Sequence, residues 1–269
     1  MTDKYAVIGN PISHSKSPLI HRMFAEQTGQ DISYVAIEAP LDGFAATIER
    51  LRAEGYEGCN ITVPFKFEAF KFAAQLSERA QSAQAVNTLK FEGEAILGDN
   101  TDGAGLVADI ERNLGISLRN KRVLLMGAGG AAYGVVLPML HAGARIAIAN
   151  RTADKARQLA AEFSASGDVA GCGYEELGEQ QFDIVINATS AGLTDSAIPL
   201  PDTIFAPGAL AYDMMYGRET PFMAFARAHG ARVADGLGML VEQAAEAFYI
   251  WRGVRPDTGP VMEKLREAA

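Results

Sequence analysis

The chain has 269 residues, beyond the roughly 100–150 typical of one domain, so two domains or one large α/β domain are expected. A content of 48% hydrophobic and 21% charged residues excludes a disordered chain, and a net charge of -9 argues against nucleic acid or an anionic membrane as partner, since both call for a basic face. The only cysteines, Cys59 and Cys172, stand far apart without a CxxC or Cys/His cluster, which leaves a disulfide framework and a metal site without support.

The N-terminal stretch MTDKYAVIGNPISHSKS meets polar residues and a proline before any apolar run could act as a signal peptide or membrane span, so a cytoplasmic, soluble protein is expected. Strand-like runs YAVIG (5–9), SYVAIEA (33–39) and CNITV (59–63) alternate with helical spacing after Ser17, Asp42 and Pro64, which predicts parallel βαβ units. Next, AVNTLKF (85–91) and AILGDNTDG (95–103) predict two strands around a glycine-containing turn and a helix starting near Asp102. A second unit opens with KRVLLMGAGGAA (121–132), an apolar strand entering a Gly-rich turn and then a helix to about Ala142. Strand RIAIANRT (145–152), a helix over 153–163, and strands FDIVINATSAG (182–192) and ALAYDMMY (209–216) follow. Helices over 236–251 and 258–268 close the chain and are expected to return to the first domain. The expectation is an α/β protein of two domains. Residues 1–101, completed by 237–269, form a substrate domain with a mixed, mostly parallel sheet, and 102–236 form a Rossmann-like dinucleotide-binding domain.

Gly127, Gly129 and Ala132 fit G-x-G-x-x-A directly after a strand, where backbone N–H groups at a helix start approach a pyrophosphate. An NAD site calls for an acid at the end of the next strand; Asn150-Arg151-Thr152 stands there instead, with Lys155 a turn further on. Guanidinium and ammonium suit a dianionic ribose phosphate better than a neutral diol, so NADP is favoured over NAD. An exposed basic helix start is the plain alternative, but it opposes the helix dipole, and a bound anion accounts for it better.

Ser15 and Ser17 flank Lys16, and hydroxyls two apart on an extended segment face the same way and can grip a carboxylate or polyol together. On local grounds Ser17 reads more simply as an N-cap with Pro18 at the first helical position. Strand CNITVPFK directs Asn60 and Thr62 to one face and sets Lys66 at a helix start, an unfavourable place for a cation. Asp102, after Asn100 and Thr101, sits at another strand-to-helix junction, where an Asp N-cap is the plain alternative. Together, a Lys and an Asp at neighbouring strand ends make a proton-transfer pair.

The ordered set NPISHSKSP, NITVPFK, AVNTL, GDNTDG, GAGGAA, NRT, INATSAG, YDMMY and DGLGMLVEQAA, running from about Lys4 to Pro260, closely resembles the shikimate dehydrogenases. The resemblance implies an NADP-dependent oxidoreductase acting on shikimate and 3-dehydroshikimate, a monomer or homodimer without nucleic-acid or membrane partners. It implies that Ser15 and Ser17 bind the substrate carboxylate and that Tyr216 contacts the same side, while Thr62, Lys66, Asn87, Asp102 and Gln243 surround the ring hydroxyls. Asn60 and Thr101 are counted with these substrate-side residues, and Lys66 and Asp102 form the catalytic pair. For the cofactor it implies Gly127, Ala128, Gly129, Gly130 and Ala131 at the pyrophosphate, and Asn150, Arg151, Thr152 and Lys155 at the adenosine phosphate. Met214 and Gly236 then lie near the nicotinamide, with Thr189 and Ser190 lining the same cleft. Lys155 is a modest departure, since Arg is the commoner residue in the family pattern. Three alternatives stand beside this reading: a quinate/shikimate dehydrogenase using NAD, a catalytically silent NADP-binding paralogue, and a different α/β dehydrogenase. The last would leave the first domain's motifs unexplained.

Overall fold

The computed structural model describes residues 2–189 and 199–267. The chain divides into two compact units, Met1–Gly105 with Leu240–Ala269, and Leu106–Met239.

The first unit holds strands β1 (Asp3–Gly9), β2 (Ile32–Glu38), β3 (Tyr56–Ile61), β4 (Gln75–Leu76), β5 (Thr88–Glu92) and β6 (Ala95–Asp99) in one mixed sheet ordered β2-β1-β3-β5-β6-β4. Helices α1 (Ser17–Thr28), α2 (Phe44–Ala53), α3 (Lys66–Phe72) and α4 (Glu78–Ala83) come from the same stretch of chain. The last five residues of β1 are all buried, as in a strand covered on both faces. Ala6 and Ile8 pack with Phe44, Ile48 and Phe65. Tyr5 points the other way and stacks at 4.6 Å on Trp251 of a late helix, α9 (Leu237–Arg252). The Trp251 indole N–H donates to the Leu89 carbonyl at 3.0 Å. Both groups come so close to Gly58 that a side chain there would collide with them. The last helix, α10 (Gly259–Glu267), belongs to this unit as well.

Pairing directions decide where the polar residues gather. Strand β3 runs parallel to β1, β5 runs antiparallel to β3, and β6 turns back again, with Asn60 opposite Thr88 and Thr88 opposite Asp99. The end of β3, the start of β5 and the end of β6 therefore share one edge of the sheet. Glu92 faces Ala95 across the expected turn, which Gly93 enters at φ 59°. From β6 the chain passes into α5 (Asp102–Ala108), which runs on into one π-helical turn over Asp109–Asn113.

The second unit holds β7 (Arg122–Met126), α6 (Gly130–His141), β8 (Arg145–Ala149), α7 (Ala153–Phe163), β9 (Val169–Cys172), β10 (Phe182–Asn187), β11 (Phe205–Asp213), α8 (Pro221–Ala228) and β12 (Arg232–Ala234). The six strands are all parallel in the order β12-β11-β10-β7-β8-β9. Counted within the unit this is 3-2-1-4-5-6, the doubly wound dinucleotide-binding order, and its switch point falls between β7 and β10. One face packs on Val135, Val136, Met139 and Leu159, and the other on Phe205, Phe222 and Ala226. The α/β class with its two sheets and a Rossmann-like second unit is as the sequence predicts. Five elements go beyond that reading: β4, α4, β9, α8 and β12.

Candidate active site

At the shared edge of the first sheet, Lys66 is the first residue of α3 and Asp102 the first of α5. The Lys66 ammonium donates to Asp102 Oδ2 at 2.6 Å, with the two side chains 29% and 21% exposed. A lysine in the first turn of a helix meets partial positive charge, and the Asp102 carboxylate supplies the compensating charge. Asp102 Oδ1 accepts from the Asn87 amide at 2.9 Å, so both carboxylate oxygens are engaged by neighbouring side chains. The plain N-cap reading of Asp102 does not describe this arrangement.

Asn87 is the hub of the cluster. Its Nδ2 also lies 2.9 Å from Thr101 Oγ1 and 3.3 Å from Gln243 Oε1, and its Oδ1 accepts from the Thr101 backbone N–H and the Thr88 hydroxyl, each at 2.9 Å. Gln243 is steadied from the other side by donating to the Leu240 carbonyl at 2.8 Å. Asn60 is buried next to this group. Its Nδ2 donates to the Asn87 carbonyl at 3.2 Å and to Thr88 Oγ1 at 3.1 Å, and its Oδ1 accepts from the Tyr34 phenol at 2.7 Å. Thr62 stands one residue past β3, half-buried.

The structure corrects the reading of Ser17 as an N-cap. Lys16 holds that position, and Ser17 is the first helical residue, with its own N–H donating to Ser15 Oγ at 3.3 Å. Ser15 thus has the local role that the sequence assigned to Ser17, and the Ser17 hydroxyl is left to other partners.

Residues that the sequence did not single out brace this edge. Arg79 grips Asp99 at 2.7 and 2.9 Å and reaches Glu246 of α9 at 3.0 Å. Asp99 also accepts from Ser77 at 2.5 Å, and Arg255 pairs with Glu246 at 2.6 Å. These pairs tie α9, which carries Gln243, to the strand leading to Asp102. A bidentate Arg–carboxylate pair has no local sequence signature, since its partners are 20 residues apart.

In the second unit the Gly-rich turn lies at the switch point. Gly127 has φ 103°, a conformation that favours glycine, and a Cβ there would press to 3.0 Å on the Thr189 methyl of the neighbouring strand end. Ala128 is half-buried, while Gly129, Gly130 and Ala131 are exposed at the start of the twelve-residue α6, and a Cβ on Gly129 would meet nothing. Backbone amides at a helix start with open space above them fit a pyrophosphate. Past β8, Asn150 donates to the Thr152 carbonyl at 3.0 Å and Thr152 is the N-cap residue of α7, which shapes the turn that carries Arg151 and Lys155. Both cations are exposed, and among the described residues neither enters an ion pair. This donor set fits a ribose phosphate.

A second network stands behind the switch point. Thr189 donates to Asn187 Oδ1 at 2.7 Å, Asn187 Nδ2 to Asp213 at 3.2 Å, and Thr220 to Asp213 at 2.5 Å, with Asn187, Asp213 and Thr220 all buried. It fixes the ends of β10 and β11. Met214 follows directly, bonded to the Asn187 carbonyl, and its backbone carbonyl abuts Gly236 so closely that no other residue fits there. Tyr216 is 39% exposed in the same unit. Ser190 lies outside the described residues. Among the described residues no group of His, Cys, Asp and Glu could hold a metal ion, and no helix is long and apolar enough to cross a membrane.

A Rossmann-ordered sheet with a glycine turn at its switch point, and a Lys–Asp pair on a separate α/β unit, define a dinucleotide-dependent oxidoreductase. Three family profiles match: the shikimate dehydrogenase substrate binding domain over residues 7–89, shikimate/quinate 5-dehydrogenase over 109–194, and the shikimate 5'-dehydrogenase C-terminal domain over 236–266. The chain is 61% identical over 269 residues to the shikimate dehydrogenase (NADP(+)) of Methylobacillus flagellatus, covering 99% of this chain and 100% of that one. Among solved structures it resembles an Ael1 enzyme from Pseudomonas putida, with a TM-score of 0.94 and 54% identity over 98% of both chains. It also resembles the shikimate 5-dehydrogenase of Thermus thermophilus in complex with NADP(H) and shikimate, with a TM-score of 0.87 and 34% identity over 100% of both chains. The chain belongs to the shikimate dehydrogenase family.

Proposed function

We propose that the chain catalyses the reversible, NADP-dependent reduction of 3-dehydroshikimate to shikimate, acting in the cytoplasm on free small molecules as a monomer or homodimer. The observation that carries this is the Lys66–Asp102 pair at 2.6 Å, held from behind by Asn87. The nicotinamide, when bound, supplies or accepts the hydride. Lys66, as an ammonium, faces the oxygen of the reacting carbon and donates the proton that the developing alkoxide takes up; in the opposite direction it accepts that proton. Asp102 keeps the ammonium in place and balances its charge. Thr62, Asn87, Thr101 and Gln243 supply donors and acceptors for ring hydroxyls, and Ser15, Ser17 and Tyr216 take the carboxylate side. Asn60, whose amide is engaged on both sides, lies behind them.

Gly127 to Ala131 would hold the pyrophosphate, and Asn150, Arg151, Thr152 and Lys155 the adenosine phosphate; Thr189, Met214 and Gly236 shape the nicotinamide side. The first domain is taken as 1–101 completed by 237–269, and the cofactor domain as 102–236. The test is steady-state turnover of shikimate against quinate, each with NADP and with NAD. The highest kcat/KM for shikimate with NADP is expected. A preference for quinate or for NAD would overturn the assignment.

A further inference from the structure

The cluster behind Lys66 and Asp102 has a direction, set by groups that can play only one part. The Asn87 carbonyl can only accept, so the side of Asn60 that faces it is Nδ2, and Oδ1 must point at Tyr34. The Tyr34 phenol is thereby obliged to donate. Thr88 Oγ1 accepts from Asn60 Nδ2, so its one proton is free for Asn87 Oδ1, the oxygen that also takes the Thr101 backbone N–H. With its oxygen so occupied, Asn87 turns Nδ2 to Asp102, whose other oxygen holds Lys66. We propose that Tyr34 and Thr88 are positioning residues for the reaction. The Tyr34 hydroxyl heads a one-way hydrogen-bond relay that passes from Asn60 through the Thr88 hydroxyl to Asn87 and orients the Asp102 carboxylate against Lys66.

Two further observations support the relay. His21 is fully buried and stacks face to face on Tyr34, with centroids 4.2 Å apart and planes within 7°, so the phenol is clamped in plane by an aromatic neighbour. Burial raises the pKa of the Tyr34 phenol, so the hydroxyl keeps the proton that it donates to Asn60. The Thr101 backbone N–H also holds Asn87, so losing one hydroxyl loosens the amide without releasing it. The expected effect is therefore several-fold and not many orders of magnitude.

The relay rests on the proposed role of Lys66, and the experiment separates the two. Steady-state kinetics would be measured for Tyr34→Phe, Thr88→Val, their double mutant, Thr88→Ser and Lys66→Ala, each checked by circular dichroism and a thermal melt. Tyr34→Phe keeps the ring against His21 and so tests the hydroxyl alone. Each of the first two variants is expected to lower kcat by about 3–10-fold, the weight of one hydrogen bond, with the KM for shikimate changed by less than about two-fold. The double mutant should fall no further than the worse single, and Thr88→Ser should recover most of the loss. Unchanged kcat in Tyr34→Phe beside a collapse in Lys66→Ala overturns the relay and leaves the catalytic pair standing. Multiplicative losses in the double mutant also overturn it. Near-normal turnover in Lys66→Ala removes the catalytic pair, and the relay with it. If Thr88→Val melts early, Tyr34→Phe decides.

Discussion

The two sheets present their functional edges in opposite states of engagement. In the first unit, Asn60, Asn87, Thr88, Thr101 and Asp102 are bonded to one another, and four of the five are buried, so the geometry exists before any ligand arrives. In the second, the edge consists of backbone at Gly127 to Ala131 and of two cations, Arg151 and Lys155, that lie exposed. Chemistry at a reacting atom needs side chains fixed to within a fraction of an ångström, and they are fixed by filling one another's hydrogen-bonding capacity. A phosphate carries its own charge and many acceptor sites, so open amides and free cations suffice to hold it.

That contrast predicts that damage to the two edges will separate cleanly. The largest effect is expected from Lys66→Ala, which should lower kcat by about 10²–10⁴-fold, the range of a positioned acid–base group. Cofactor affinity should be untouched and stability should change by less than about 1 kcal/mol, because the ion pair is partly exposed. Turnover near normal with only a raised KM would make Lys66 a binding residue. Next comes Arg151→Ala, which removes a charge-assisted contact of about 1.5–3 kcal/mol and should weaken NADP by roughly 10–100-fold while NAD is little affected. A NADP/NAD ratio equal to wild type would break the phosphate assignment and with it the second half of the contrast.

A third test addresses how rigidly the first edge is backed. Burial depresses the His21 pKa from 6.5 to about 3, so the unfolded chain takes up a proton in a range where the folded one does not. The associated stability is fully present above pH 6.5 and is lost as pH falls towards 3. At pH 5 the loss is about 2 kcal/mol. In His21→Phe, urea midpoints between pH 7.5 and 5 should fall less than in wild type; equal slopes would show that His21 is not what couples folding to acid. The smallest effect is expected from the pair Ser15→Ala and Ser17→Ala. The KM for shikimate should rise about five- to ten-fold, as donors to a carboxylate are lost, with the KM for NADP unchanged. Equal rises in both constants would trace the effect to the lost Ser15–Ser17 contact and not to the substrate.

Much of this molecule is written in local patterns. The hairpin at Gly93, the Gly-rich turn after β7 and the helix over Ala153–Phe163 follow from residue order alone, because a two-residue turn, a strand-to-helix junction and a helical period are local events. The elements that escape are short and set by neighbours: β4 is two residues long, and β9, reading VAGC, has too little apolar surface to stand out without β8 beside it. The π-helical turn at Asp109 is equally invisible. Its first residue takes a buried bond from Tyr212, 103 residues later, at 2.6 Å, a partner that no local pattern announces. At the site, Lys66 showed itself by standing where a cation is disfavoured, and Arg151 by replacing an expected acid. Tyr34, His21 and Arg79 gave no such signal, since each looks like an ordinary strand or helix residue until its partners, brought by pairing across the sheet, are in place.

The division of the chain also sets an order on synthesis. Residues 106–239 are contiguous and can close their sheet as soon as they leave the ribosome, whereas the unit that begins the chain is finished only by residues 240–267. Until then Tyr5 lacks the indole of Trp251 and the Leu89 carbonyl lacks its donor. A nascent chain from which residues 240–267 have yet to emerge therefore carries a second unit free to fold beside a first unit whose sheet is covered by α1 but still open around Tyr5, and this is the stage at which a chaperone has most to hold.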